Sequence, residues 1–159
     1  MVTTLFKLYP EVVVDAIYDE VQLLDEAITA LRRPLRPTDP NYSVGIFGTD
    51  WQPVEHEIGG PPDPSLSRYE VSIQSLVKHA VEEEGQALHT NIAHRLRTML
   101  YRNNDLRVRL GQMRIEFAGG VSEGVTRTGI SNQRFRSNEI QGQFVYVSLT
   151  NFWFETHTG

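Results

Sequence analysis

The sequence predicts an α+β domain, a small sandwich in which two α-helices pack on a mainly antiparallel β-sheet. Apolar residues recur at helical spacing near the start of the chain and again around residues 86–102. Apolar and polar residues alternate between Tyr69 and Lys78, and about 143–156 has the pattern of a long final strand. With 159 residues, the chain is expected to form a single domain over 1–159.

The first helix is predicted from about Pro10 to Arg33. Its apolar stripe, spaced three and four residues apart, consists of Val14, Ile17, Val21, Leu24, Ile28 and Leu31. Pro10 suits the first turn of a helix, and Pro34 would stop it. The stripe covers about three heptads, which is short for a coiled coil, so packing on the core is favoured.

Residues 34–67 are predicted to form a long proline-rich loop region. They hold seven of the eight prolines, with one short strand expected around 43–47. Long loops in compact domains are usually mobile or used for contacts. Trp51 is therefore a candidate partner contact, with packing back onto the core as the alternative.

The middle of the chain is predicted as a strand over 68–80 and a second helix over about 86–102. The buried face of this helix is predicted to consist of Leu88, Ile92, Leu96, Met99 and Leu100. Three acids at 82–84 lie just ahead of it, where the helix dipole favours negative charge.

The last third of the chain is predicted to be sheet. A strand at 113–117 is followed by a glycine turn and by a polar stretch, 121–136, in which Gly124 and Gly129 allow bends or bulges. The final strand carries aromatic residues on one side and Val145, Val147, Leu149 and Trp153 on the other. A strand that is apolar on both sides is either central in the sheet or meets a partner.

The charges are divided unevenly along the chain. The net charge is −5, but residues 1–84 sum to −9 and residues 85–159 to +4, and most of the basic residues are arginine. Three explanations remain open: nucleic-acid binding by the second half, self-association of acidic and basic surfaces, and a scattered solvated surface.

No pattern of catalytic or metal-binding residues is present, so we expect no enzyme activity, no cofactor and no metal. The chain has no cysteine, and its five histidines lack the spacing of a metal site. The glycines of GGVSEGVTRTG lack the lysine of a phosphate-binding loop. No apolar run is long enough to cross a membrane, and the first residues lack the basic flank and apolar run of a secretory signal, so we expect neither feature.

Two stretches of the second half resemble a known family. They are LRTMLYRNNDLRVRLGQM and EGVTRTGISNQRFRSNEIQGQFVYVSLTNFWFET, which together cover about residues 85–157. The pattern is a helix ending in MLYR, then DLR, RF, NEI, GQF and an aromatic final strand. It is similar to the tail terminator proteins of bacteriophages with long, non-contractile tails.

The resemblance implies a structural protein of the virion tail, assembled in the host cytoplasm. Proteins of this family form a ring of six chains that caps the head-proximal end of the tail tube, ends its polymerisation and joins it to the head connector. The partners implied are other copies of the chain, the major tail tube protein and the connector, with genomic DNA passing through the ring without specific binding and no membrane. We expect the contacts to involve Arg107, Arg109, Arg134, Arg136, Trp51 and Trp153, with acids of the first helix as possible partners.

Three alternatives remain, one of them close to the leading interpretation and two from other classes of protein. Another head–tail connector or minor tail protein would share the fold but need not bind tube subunits. A nucleic-acid-binding domain would use the arginines around Phe135, because arginines interleaved with an aromatic residue suit single strands. A small enzyme is the weakest alternative, since no catalytic constellation supports it.

Overall fold

The structure is a computed structural model that describes residues 9–53, 66–102, 106, 108–110, 115–117 and 120–158. In chain order its elements are α1 (Tyr9–Gln22), β1 (Thr29–Leu31), β2 (Tyr42–Pro53), β3 (Leu66–His79), α2 (Glu82–Arg102), β4 (Ile115–Phe117), β5 (Gly120–Ile140) and β6 (Gln143–Thr158). The predicted α+β class is confirmed. None of the described helices is long and apolar enough to cross a membrane.

The strands form one sheet in the order β1-β2-β3-β6-β5-β4. β1 runs parallel to β2, and all other neighbouring strands are antiparallel. β3 and β6 lie at the centre and pair along their length, from Leu66 opposite His157 to His79 opposite Phe144. The final strand is therefore central in the sheet, although this position does not cover its open face.

Both helices pack on the same face of the sheet, called here the helical face. α1 lies over β2 and β3, and α2 lies mainly over β3 and β6. The core between them includes Val13, Ile17, Val44, Ile46, Val71, Ile73, Leu96, Phe152 and Phe154. Burying one such side chain contributes about 1.5–3 kcal/mol. The opposite face of the sheet is called the open face.

The first helix is shorter than predicted, and the prediction is wrong beyond Gln22. The amides of Leu23 and Leu24 close the last turn at 3.1 Å from the carbonyl oxygens of Glu20 and Val21. The chain then turns, and residues 29–31 pair with β2. Ile28 is still buried, but it reaches the core from the turn, so its helical spacing misled the prediction.

Part of the loop predicted over 34–67 is a strand. β2 spans Tyr42–Pro53, well beyond the expected 43–47, and pairs with β3 down to Pro53 opposite Ser67. Prolines are absent between Asn41 and Gln52, so every residue there can donate its amide to a ladder. Residues 34–41 are irregular as predicted, and residues 54–65 lie outside the described part of the chain.

Polar contacts hold the segment before β2 together and fasten it to the open face. The Arg33 guanidinium donates two hydrogen bonds to the Asp39 carboxylate, at 3.0 and 2.6 Å. The Leu35 amide donates to Gln74 Oε1 at 2.8 Å. Gly45 is required below this segment, because a β-carbon there would lie 2.5 Å from the Arg33 carbonyl oxygen.

The polar stretch 121–136 lies within one strand, β5, that continues to Ile140. Its register against β6 shifts three times, between Ser122 and Val125, between Val125 and Arg127, and between Ile130 and Asn132. The first shift contains Gly124, as predicted, whereas Gly129 pairs regularly opposite Trp153 and lies at no shift. From Gln133 onward the pairing is regular.

Candidate interaction surface

The candidate surface is built on the hairpin of β5 and β6. Gln141 and Gly142 form its two-residue turn, with φ angles of 51° and 79°. Positive φ at both positions is typical of the type I′ turn that matches the twist of paired strands. The turn sets Ile140 opposite Gln143, and the regular register runs from there to Gln133 opposite Thr150.

On the open face of this hairpin, two of the predicted contact residues lie together. Arg134 and Arg136 are both exposed and stand opposite Leu149 and Val147 on β6, which are half-buried. Val145 continues the same apolar row. Arginines beside aliphatic side chains are common in protein interfaces, where the guanidinium binds carboxylates and its stem covers apolar surface.

Trp153 lies on the same face but is occupied by contacts within the chain. The Arg68 guanidinium stacks over its ring at 4.4 Å and binds the carboxylate of Glu155 at 2.7 Å. Glu155 is only 2% exposed, so this arginine compensates a buried charge. Gly129 borders the ring so closely that a β-carbon would lie 2.7 Å from it. Trp153 is therefore half-buried and packs against Arg68 and Gly129 of its own chain. Only its exposed edge is open to a partner.

Arg109 is separate from the hairpin. It is exposed and binds the carboxylate of Asp19 on α1 at 2.8 Å. Arg32 and Arg95 bind Asp15 and Asp25 in the same way, at 2.9 and 3.6 Å. Asp15 and Asp19 of α1, which we expected to meet arginines of a partner, thus meet arginines of their own chain.

The other two predicted contact residues have no described side chain. Arg107 lies outside the described residues. Trp51 belongs to β2, where its backbone pairs with Tyr69, and its side chain is outside the described part. For both residues the interface role stays a prediction.

The helical face carries a groove between α2 and the hairpin, with a volume of about 860 Å³. Phe135, on β5, is 57% exposed and forms one wall. His94 and Arg97, on α2, lie on the other wall. The groove mixes aromatic, basic and acidic side chains, a composition that suits a peptide segment better than one small ligand.

His89 lies at the bottom of this groove. It is 6% exposed, stacks on Tyr146 at 5.6 Å and meets the edge of Phe135 at 5.8 Å. Burial lowers the pKa of its imidazole, so the ring is neutral near pH 7. Its Nε2 atom has no hydrogen-bond partner among the described residues. Leaving such a polar atom unsatisfied costs about 1–3 kcal/mol, which a partner group in the groove would offset.

The groove was not predicted, because the apolar pattern of α2 placed Leu88 and not His89 on its buried face. Leu88 was predicted to be buried and is 41% exposed, whereas His89 occupies the buried position. The signal was available, because His89 continues the spacing of Ile92, Leu96 and Met99. Within the described residues, no three side chains of histidine, aspartate or glutamate are grouped to hold a metal ion.

Comparisons with known proteins give no family. No protein-family model matches the chain, and no curated protein matches it. Among solved structures, a chain of the virion of a native gene transfer agent particle is similar, with a TM-score of 0.44, 12% identity and coverage of 90% of this chain and 92% of that one. A second solved chain, whose title names no function, has a TM-score of 0.45 and 8% identity, with 90% of each chain covered. At identities and TM-scores this low, we draw no functional conclusion from either structure.

Proposed function

We propose that this chain is a structural protein of a phage-like virion, and within that class a tail terminator. In this role it forms a ring, expected to contain six copies, that caps the head-proximal end of the tail tube and ends tube polymerisation. The ring then presents that end of the tail to the head connector. We propose no catalytic step, cofactor or metal for this function.

The observation that carries the proposal is the exposure of the residues behind the family resemblance. Arg134, Phe135, Asn138, Glu139 and Ile140 belong to the matching pattern, and all five are exposed on one hairpin. Folding alone does not need an arginine, a phenylalanine or an isoleucine at exposed positions. A shared pattern at such positions fits contact with a partner.

A ring adds a geometric requirement that this surface can meet. Each copy must contact the next through two different patches, because a closed ring is built from head-to-tail contacts. The arginine row on β5 and the acidic α1 lie at opposite sides of the sheet. Their separation supports a subunit with one basic and one acidic flank.

The proposal is tested by two measurements on the purified full chain. Native mass spectrometry over a range of concentrations should show a six-chain species of about 109 kDa, given 18.1 kDa per chain. Electron microscopy should show that the protein stops growth of tubes assembled from the major tail tube protein encoded in the same genome. A stable two-chain species, or tubes that grow to unchanged lengths, would overturn the proposal.

The same preparation separates the proposal from a nucleic-acid-binding function. A terminator should show no binding to short single- or double-stranded DNA at low salt. Binding that is tight at low salt and falls steeply as salt is added would instead favour a nucleic-acid-binding domain. Binding to the connector without any effect on tube growth would favour a head-side connector protein.

A further inference from the structure

The turn that follows α1, residues 22–27, presents an apolar side chain to solvent. Leu23 is 79% exposed, the highest value among the large apolar side chains that the structure describes. Its neighbours Gln22, Glu26 and Ala27 are exposed as well. Single apolar residues are common on protein surfaces, so the exposure of Leu23 is informative only together with the support of the turn and the surface that could receive it.

This turn is held firmly against α2. The Arg95 guanidinium donates a hydrogen bond to the Leu24 carbonyl oxygen and lies 3.6 Å from the carboxylate of Asp25. The same carboxylate accepts a hydrogen bond from the Ala27 amide at 2.9 Å. Leu24 packs against the core. Leu23 is therefore presented on a fixed support, and a partner that buries it loses less free energy to ordering than it would on a free loop.

The groove between α2 and the hairpin offers an apolar surface that could receive such a side chain. Phe135 is 57% exposed on one wall. Its ring lies at 89° to that of His89, with the centroids 5.8 Å apart, and His89 stacks on Tyr146. An aliphatic side chain that enters beside Phe135 would replace water on the exposed aromatic surface.

Charge makes the two ends of the groove different. Arg97, on α2, is exposed and forms no ion pair with a described residue, and its guanidinium lies 5.9 Å from the ring centroid of Tyr101. Glu82 starts the same helix, and Glu139 lies beside the hairpin turn, so these acids line the opposite end. Along α2, Arg97 is about 22 Å from Glu82. A segment that enters the groove should therefore carry its negative charge toward Arg97.

The turn carries a carboxylate at a suitable distance from Leu23. Glu26 is exposed, and none of the ion pairs among the described residues includes it. The α-carbons of Leu23 and Glu26 are at most about 11 Å apart. Arg97 lies about 12 Å along α2 from His89, which contacts Phe135. A leucine placed against Phe135 thus leaves Glu26 within reach of the Arg97 guanidinium.

The turn and the groove of one chain lie on opposite sides of α2. Arg95 holds the turn and Arg97 lines the groove, and positions two residues apart point about 200° apart around a helix. α2 therefore separates Leu23 from the groove of its own chain, so only another molecule can place a side chain of this kind there. Two different patches on opposite sides of one element also meet the requirement of a head-to-tail contact.

We propose that the turn at 22–27 of one chain enters the groove of a second copy, where Leu23 packs against Phe135 and Glu26 binds Arg97. This inference rests on the proposed function, because repetition of the contact is what would close the ring. Arg97 then binds the acidic turn of a neighbouring copy, as Arg95 binds the turn of its own chain. An incomplete ring keeps one empty groove and one free turn at its ends.

The apolar part of the contact is tested at Leu23. Leu23→Asp changes an exposed position and should keep the fold, which circular dichroism checks. By native mass spectrometry of the full chain, it should raise the concentration needed for the six-chain ring by about tenfold or more. Leu23→Met keeps an apolar side chain of similar volume and should assemble like the unmodified chain.

Exchange of charges tests whether the contact runs head to tail. Glu26→Arg places two arginines in every contact and Arg97→Glu places two glutamates there, so each variant alone should assemble poorly. An equimolar mixture of the two should recover the ring, because the turn of each variant then meets a groove of opposite charge on the other. Glu83→Arg is the matched control. It makes the same change of charge at an exposed position of α2 that does not line the groove, and it should leave assembly unchanged.

The possible results separate this contact from the proposed function. If Leu23→Asp and the charge variants form the ring at the same concentration as the unmodified chain, the contact is wrong while the terminator function stands. If the mixture recovers a two-chain species and no ring, turn and groove meet reciprocally about a two-fold axis, and both proposals fail. If the unmodified chain stays monomeric even with tube protein present, both proposals also fail.

Thiol crosslinking provides a second measurement that does not depend on weakening the ring. The chain has no cysteine, so an Ala27→Cys variant and a Thr90→Cys variant each carry one thiol, the first on the turn and the second in the groove. A short bis-maleimide should link the two variants in a mixture and link neither variant alone. Crosslinking of Ala27→Cys with itself, or no crosslink in the mixture, would contradict the contact.

Discussion

The two flanks of the sheet use their arginines in different ways. On the β2 side, Arg32 and Arg33 bind Asp15 and Asp39 within the chain. On the β5 side, Arg134 and Arg136 are exposed and make no ion pair with any described residue. Charge on the first flank therefore closes the loop before β2 and ties the end of β1 to α1, and charge on the second is available to a partner. A count of charges along the sequence cannot separate these two uses.

The largest expected effect comes from the core that both flanks share. Leu96 is 1% exposed in α2, so Leu96→Asp places a carboxylate in the apolar core and should unfold the chain. Leu88→Asp in the same helix is the matched control, because Leu88 is 41% exposed, and it should change the free energy of unfolding by only about 0.5 kcal/mol. Circular dichroism with urea titration measures both. Equal loss of stability in the two variants would contradict the observed orientation of α2.

The next effect should fall on assembly and not on stability. Arg134→Glu combined with Arg136→Glu reverses the charge of the exposed row, whose side chains have no described ion pair to lose. We expect the ring to be lost while the thermal midpoint of the monomer changes little. Arg134→Lys with Arg136→Lys keeps the charge and should retain partial assembly. Normal ring formation by the glutamate variant would remove the arginine row from the interface.

Sequence patterns predicted the elements in which one side faces the core along the whole length of the helix or strand. β3, α2 and β6 lie close to their expected positions because alternation or helical spacing persists through each of them. The end of α1 was predicted too far along the chain. Ile28 reaches the core from a turn, and its position happens to continue the helical spacing of the apolar residues. The length of β2 was underestimated because prolines before and after it suggested a loop. These prolines lie only at the ends of the strand.

Of the candidate surface, the sequence predicted only the residues that their charge makes conspicuous. Arg134 and Arg136 stand out in the sequence because they flank an aromatic residue. The outer edge of β5 depends on the length of its neighbour β4, which pairs only with Gly120–Ser122. The groove at His89 depends on how α2 is rotated over the hairpin. The length of β4 is not encoded in any local pattern, whereas the rotation of α2 was indicated by the spacing of His89 with Ile92, Leu96 and Met99.

A smaller effect is expected from the ion pair that fastens the β2 flank, and it should depend on pH. Hydrogen bonds from Arg33, and from the Arg36 amide, hold the pKa of Asp39 at about 2, below its ordinary value of 3.8. The carboxylate thus stabilises the fold above about pH 4, and this contribution is lost as the pH falls toward 2. Asp39→Asn should lower the thermal midpoint at pH 7 and weaken its dependence on pH in that window. An unchanged acid-unfolding curve would show that the pair does not hold the segment.

The smallest effect should come from Arg109, and it tests whether the flanks differ as described. Arg109 and Asp19 are 44% and 49% exposed, so water screens their ion pair and we expect it to contribute about 0.2–1 kcal/mol. Arg109→Glu should therefore shift the thermal midpoint slightly and leave the ring intact, in contrast to reversal of Arg134 and Arg136. The pairing itself is checked by adding Asp19→Arg, which should restore part of the lost stability by exchanging the two charges. If Arg109→Glu instead abolishes the ring at unchanged stability, the α1 flank takes part in assembly through Arg109, and the division between a structural and an interacting set of arginines is wrong.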